Sequence, residues 1–191
     1  KPRAPATFPW EEAHDPYVAI THFARALAAS RLGRPDEATA DIEALESLRA
    51  GVENPYWAKQ VEIQEIAVRA WQAYARGDTQ HALEVMRQAA ALEASTEKHA
   101  VTPGEVLPAA ELLGDLLFET GRFEEALEAY RAALRRAPGR YNSLHGAGQS
   151  AKAAGDDSTA LEYFNELLSI ADNAENHRRD IDDVRAFVKG R

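Results

Sequence analysis

Glu97-Lys98-His99 sets a carboxylate, an ammonium and an imidazole side by side, and Glu111 and Asp115 follow shortly after. That grouping offers both signs of charge and a titratable ring, the material of acid–base chemistry or of ligand anchoring. Acid–base catalysis needs a second convergent set of groups in a closed pocket, which the sequence does not show. A surface loop whose polar groups cap helix ends uses the same residue types. The six histidines, at 14, 22, 81, 99, 145 and 177, include no i,i+4 pair and no His-Glu-x-x-His, so no metal centre is expected. There is no glycine-rich phosphate loop, and Gly146-Ala147-Gly148-Gln149-Ser150 leaves its serine outside the Gly-x-Ser-x-Gly pattern. With no cysteine the chain has no disulfide, thiolate metal site or cysteine nucleophile. No cofactor is expected and the chain does not read as an enzyme.

The elements that must position these groups are marked by Gly33, Gly77, Gly121 and Gly155, around which small and large residues recur at fixed offsets. With Gly121 at position 15 of a unit from Leu107 to Arg140, Leu113 and Gly114 fall at 7 and 8, Ala126 at 20, Tyr130 at 24, Ala133 at 27 and Pro138 at 32. This is the tetratricopeptide pattern, whose unit is about 34 residues of helix, turn and helix. Gly114 and Ala126 are small where two helices cross closely, Tyr130 fills the space behind them, and Pro138 stops the second helix. The same frame finds Gly148, Ala160, Phe164 and Leu167 downstream, then Ala70, Ala82, Met86 and Ala89, and Ala26, Ala38, Ile42 and Leu45 upstream.

The fold class expected is therefore all-α: a right-handed α-solenoid of about four hairpins, over residues 19–52, 63–96, 107–140 and 141–174, in one domain spanning 16–191. Glycine-to-glycine intervals of 44, 44 and 34 residues lengthen the first two junctions. In the first, Asn54-Pro55 reads as an N-cap with proline at the first helical position, which predicts one long helix from Pro55 to Arg76. In the second, Thr96 to Gly104 reads as an ordered loop against the inner helices. Thr102-x-x-Glu105 has capping-box spacing there, and Pro108 should bend or delay the next helix. Asp15-Pro16 starts the first helix; Pro2, Pro5 and Pro9 favour an extended arm over 1–15, with Phe8 and Trp10 available to pack on a neighbour. Ile181, Val184, Phe187 and Val188 share one helical face, as a capping helix over 177–189 requires.

Thr96-Glu97-Lys98-His99-Ala100-Val101-Thr102-Pro103-Gly104, then Pro108-Ala109 and Glu111-Leu112-Leu113-Gly114-Asp115, is more distinctive than generic repeat sequence. It resembles the C-terminal part of larger, often exported bacterial tetratricopeptide-repeat proteins of uncharacterised function. The resemblance implies a bacterial source, a missing N-terminal portion and export, and supplies no activity. Lys1 in place of Met fits a processed product or a fragment, so the lack of a leader decides nothing about export.

In this repeat, positions 2, 5, 9, 12 and 13 of each inner helix face the concave surface. They are Trp71 and Tyr74 in the second unit, Glu111, Asp115, Phe118 and Glu119 in the third, and Asn142, His145, Gln149 and Lys152 in the fourth. Lys98 and His99 are placed at the groove edge. Aromatic anchors beside amides and charges suit capture of a peptide or chain terminus; the competing reading makes Trp71, Tyr74 and Phe118 core residues. A net charge of −9 without a basic, aromatic-interleaved stripe disfavours nucleic acid, and no run approaches the ~18 apolar residues of a membrane span. The function expected is a non-catalytic protein- or peptide-binding scaffold. Two alternatives are a helical module completing the active site of a larger enzyme, and self-association as a homo-oligomer.

Overall fold

A computed structural model describes residues 15–97, 105–171 and 179–190. The described elements are all helical: α1 (Asp15–Arg31), α2 (Pro35–Gly51), α3 (Pro55–Ala75), α4 (Thr79–Ala94), α5 (Ala109–Glu119), α6 (Phe123–Arg136), α7 (Tyr141–Ala153), α8 (Asp157–Ala171) and α9 (Arg179–Lys189). None of them is long and apolar enough to cross a membrane. The chain divides into two compact units, Lys1–Leu112 and Leu113–Arg191, with the division falling inside α5.

The four glycines end the first helix of each hairpin for a backbone reason. Gly33, Gly77, Gly121 and Gly155 have φ of +70°, +90°, +75° and +84°, and a Cβ built on any of them would meet nothing within 4 Å. Space is therefore not the constraint; the left-handed conformation is. All four turns close with the same bond pair. In the first, Gly33 N–H donates to Ser30 C=O at 3.0 Å and Arg34 N–H to Ala29 C=O at 3.0 Å. Asp78 to Ala73, Arg122 to Leu117 and Asp156 to Ala151 repeat the second bond at 3.0, 2.9 and 2.9 Å. This Schellman closure satisfies the terminal carbonyls and turns the chain tightly into the second helix.

In unit 1, α3 is a single helix from its Asn54 cap to Ala75, as the Asn-Pro pair predicts; the Asn54 side chain accepts from Tyr56 N–H at 2.9 Å and Trp57 N–H at 3.4 Å. Ala26, Ala38, Ala70, Ala82, Met86 and Ala89, all repeat positions, are fully buried. The faces of α2 and α3 are joined by a polar seam that the repeat pattern did not reveal. Gln72 Nε2 donates to Pro35 C=O at 2.9 Å and Thr39 Oγ1 at 3.1 Å, and Arg69 donates to Glu65 at 2.9 Å and Glu46 at 3.0 Å. Arg49 Nε lies 3.0 Å from the buried Glu65 carboxylate but outside hydrogen-bonding angles, so that contact is ionic only.

The start of α5 differs from the capping-box expectation. The helix begins at Ala109, directly after Pro108, and its first N–H groups are met by the buried Glu93 carboxylate of α4, at 2.8 Å from Ala109 N and 3.5 Å from Ala110 N. Glu105, expected inside a helix, precedes it; Thr102, Pro103 and most of the 96–104 loop lie outside the described residues. A carboxylate at a helix N-terminus satisfies orphan donors and opposes the positive end of the helix dipole.

In unit 2 the Tyr130 ring of α6 lies against glycines of two helices. A Cβ on Gly114 of α5 would stand 2.8 Å from the ring, and one on Gly146 of α7 only 2.3 Å. The Tyr130 hydroxyl donates to Asp115 at 2.7 Å. Gly148 makes the equivalent room for Phe164 of α8, where a Cβ would come within 2.3 Å. Pro138 follows the end of α6 as expected. The terminal helix α9 buries Ile181 and Val184, sets Phe187 edge-on to Phe164 at 5.4 Å, and accepts the Tyr141 hydroxyl on Asp180 at 2.9 Å. It matches the capping helix expected over 177–189, of which residues 177 and 178 lie outside the described residues. The N-terminal arm over 1–15 also lies outside them, except Asp15, the first residue of α1.

Candidate functional site

The expected concave-face residues fall in both units. In unit 1, Trp71 is 1% exposed. The Arg31 guanidinium sits 4.6 Å above its ring and Tyr74 meets it edge-on at 6.0 Å. Trp71 is therefore interior packing with no surface to offer a ligand, and its indole N–H is buried with no hydrogen-bond partner among the described residues. Tyr74 is half-buried. Glu111 is likewise interior, at 2% exposure, which removes it from any open contact face. Lys98 and His99 lie outside the described residues.

Unit 2 holds the others. Asp115 is half-buried and accepts the Tyr130 hydroxyl, so one of its oxygens is committed to the fold. Phe118 is half-buried against Phe123 at 5.3 Å, across the turn that Gly121 makes. On α7, Asn142 is exposed, and His145 and Gln149 are half-buried with His145 Nε2 and Gln149 Nε2 3.3 Å apart. The i,i+4 spacing is what brings that pair together on one face. His145 also stacks parallel to Tyr141 at 6.4 Å and leans on Phe164 at 6.4 Å. Lys152 is exposed, with its ammonium 4.9 Å above the Phe187 ring of α9. The result is an amide, an imidazole–amide pair and a cation in a row along α7, braced by Tyr141, which the positional rule did not select.

Among the described residues no three His, Cys, Asp or Glu groups come together to hold a metal. The Asp156 carboxyl is held down to about 2 by the Thr159 side chain and backbone N–H and by the Ser158 hydroxyl. It caps α8 through Thr159 N–H at 3.0 Å, so its acidity reflects a helix end. A second polar cluster was not foreseen: buried Asp41 in α2 lies 2.8 Å from His22 Nδ1 and 3.1 Å from Arg25 Nε of α1. The only sequence hint was a charged residue within an apolar stripe, which does not identify its partners.

Comparison with known proteins supports the repeat reading. Residues 105–173 match the tetratricopeptide repeat family. Among solved structures, the chain is similar to a Podosopora anserina kinesin-light-chain-like protein of nearly identical TPR-like repeats, with TM-score 0.60 and 19% identity over 92% of this chain and 85% of that one. It is also similar to MamA, with TM-score 0.53 and 18% identity over 86% of this chain and 80% of that one. A second MamA structure, from MSR-1, gives TM-score 0.53 and 13% identity over 91% and 90% of the two chains. At these identities the likeness is one of fold: an all-α, TPR-like solenoid. No curated protein matches the chain.

Proposed function

We propose that the chain is a non-catalytic scaffold that binds a protein or peptide segment, and that the α7 face of unit 2 is the main contact. Asn142, Gln149 and Lys152 read the backbone and charge of the bound segment, His145 adds a titratable contact, and Asp115 and Phe118 extend the face from the preceding inner helix. Tyr74 contributes a separate aromatic edge in unit 1. The observation that carries this reading is the polar row on α7: Asn142 and Lys152 stand exposed, and the His145–Gln149 pair lies between them. Polar groups held by neighbours lose less freedom on binding.

The test is selection from a displayed random-peptide library on immobilised protein. Wild type should enrich a consensus that Asn142→Ala/Gln149→Ala no longer retains, while the variant's helical circular dichroism is unchanged. Failure to enrich beyond a scrambled library, or equal retention by the variant, refutes the assignment.

A further inference from the structure

Away from the α7 face, unit 2 carries a cleft of about 370 Å³ lined by Arg131, Leu134, Arg135, Pro138, Gly139, Tyr163 and Glu166. Its size falls in the roughly 300–1,000 Å³ range of ligand clefts. The wall is amphipathic. Leu134 and Pro138 supply apolar surface, and Ile170, 42% exposed, abuts the turn with its Cδ1 3.6 Å from where a Gly139 Cβ would stand. Gly139 has φ of +73° and no side chain, which leaves that end open.

The cations differ in how they are held. The Arg131 guanidinium is fixed by the Tyr163 hydroxyl at 3.1 Å and Glu128 at 2.6 Å, and remains charged. Arg135 is exposed and has no bonding partner among the described residues, whereas Arg25, Arg34, Arg49, Arg69, Arg76, Arg122 and Arg185 all face carboxylates. Glu166, exposed at the rim, offsets part of this charge. The lining itself sets two arginines, Arg131 and Arg135, against the single carboxylate of Glu166, in a chain of net charge −9. A basic, partly apolar cleft on an acidic protein is complementary to carboxylates adjoining a bulky apolar side chain.

The chain itself carries that chemistry. Phe8-Pro9-Trp10-Glu11-Glu12 puts two aromatics and two acids in five residues, and Pro9 disfavours helix there. Phe123-Glu124-Glu125 is similar in composition but forms the first turn of α6. We propose that residues 8–12 of one copy dock into the α6–α8 cleft of a second copy, with Glu11 and Glu12 on Arg135 and Arg131 and Trp10 against Leu134 and Pro138. The contact is heterologous, so reciprocal exchange closes a dimer and one-way exchange builds a chain of copies. It does not depend on the α7 face.

Sedimentation of the full chain over a wide concentration range tests this. Wild type should associate, and should do so more weakly in 1 M salt, where charges are screened over about 3 Å. Arg135→Glu and Trp10→Ala should each weaken association about tenfold or more with unchanged circular dichroism. Arg135→Glu combined with Glu11→Arg should recover it. A monomer at every concentration overturns the proposal. So does association that is indifferent to Arg135→Glu, or that is weakened by it but indifferent to Trp10→Ala and not rescued by the charge swap, since the occupant would then be another segment.

Discussion

Replacing Gly146 by alanine tests whether the Tyr130 ring is clamped. In the middle of α7 the substitution gains about 1 kcal/mol of helix propensity. Against this, the new Cβ would stand 2.3, 2.5 and 2.7 Å from three ring carbons of Tyr130. The ring has little room to shift, because Gly114 also stands against it at a built-Cβ distance of 2.8 Å and its hydroxyl is tied to Asp115 at 2.7 Å. Tyr130 is only 3% exposed, so rotation outward would also open buried volume. Overpacking of this kind costs about 1–3 kcal/mol, and the burial and tethering of the ring place the case toward the upper end. The net expectation for Gly146→Ala is a loss of about 1–2 kcal/mol, read from urea unfolding followed by circular dichroism. In a Tyr130→Leu background the clash is gone, and Gly146→Ala should become neutral or stabilising, a coupling of about 1–3 kcal/mol. Stabilisation of the wild-type background by Gly146→Ala would show that the ring yields freely, and would refute the clamp.

Asn54→Ala should destabilise unit 1 by about 1 kcal/mol by stripping the α3 cap, with Asn54→Gly costing less, as urea unfolding will show. Glu93→Ala should cost about 1–3 kcal/mol by orphaning buried donors at the start of α5, and should raise amide hydrogen exchange at Ala109 and Ala110 more than elsewhere. Carboxyl-carbon NMR should place the Asp156 titration near a pH of about 2. Because that pKa is lowered on folding, its stabilisation is complete above the unfolded value of 3.8 and is lost as pH falls through about 2, and Thr159→Val/Ser158→Ala should move the midpoint upward.

Most of the fold was legible because it is encoded by local constraints. A left-handed residue after a helix is almost always glycine, so four glycines at repeating offsets mark four turns, and the structure closes each with the same Schellman bonds. Asn54-Pro55 marks a helix start for equally local reasons, an amide that accepts from free N–H groups and a proline already at helical φ. Small and large repeat positions predicted that Gly114, Ala126 and Tyr130 meet, because hairpin helices joined by a short turn have little choice of neighbour.

The candidate site was legible only as a set of positions. Helical periodicity assigns Trp71, Glu111, Asn142 and His145 to equivalent faces, yet it carries no information about what covers them. Contacts with α1 bury Trp71 under Arg31, and the interior claims Glu111, while Asn142 stays exposed. The cap of α5 by Glu93, the second glycine against Tyr130 at Gly146 and the arginine cleft between α6 and α8 each join residues from different helices. Local propensity determined where the helices begin, turn and end; only the tertiary contacts decided which side chains on their faces were left with surface, charge and bonding capacity to spare.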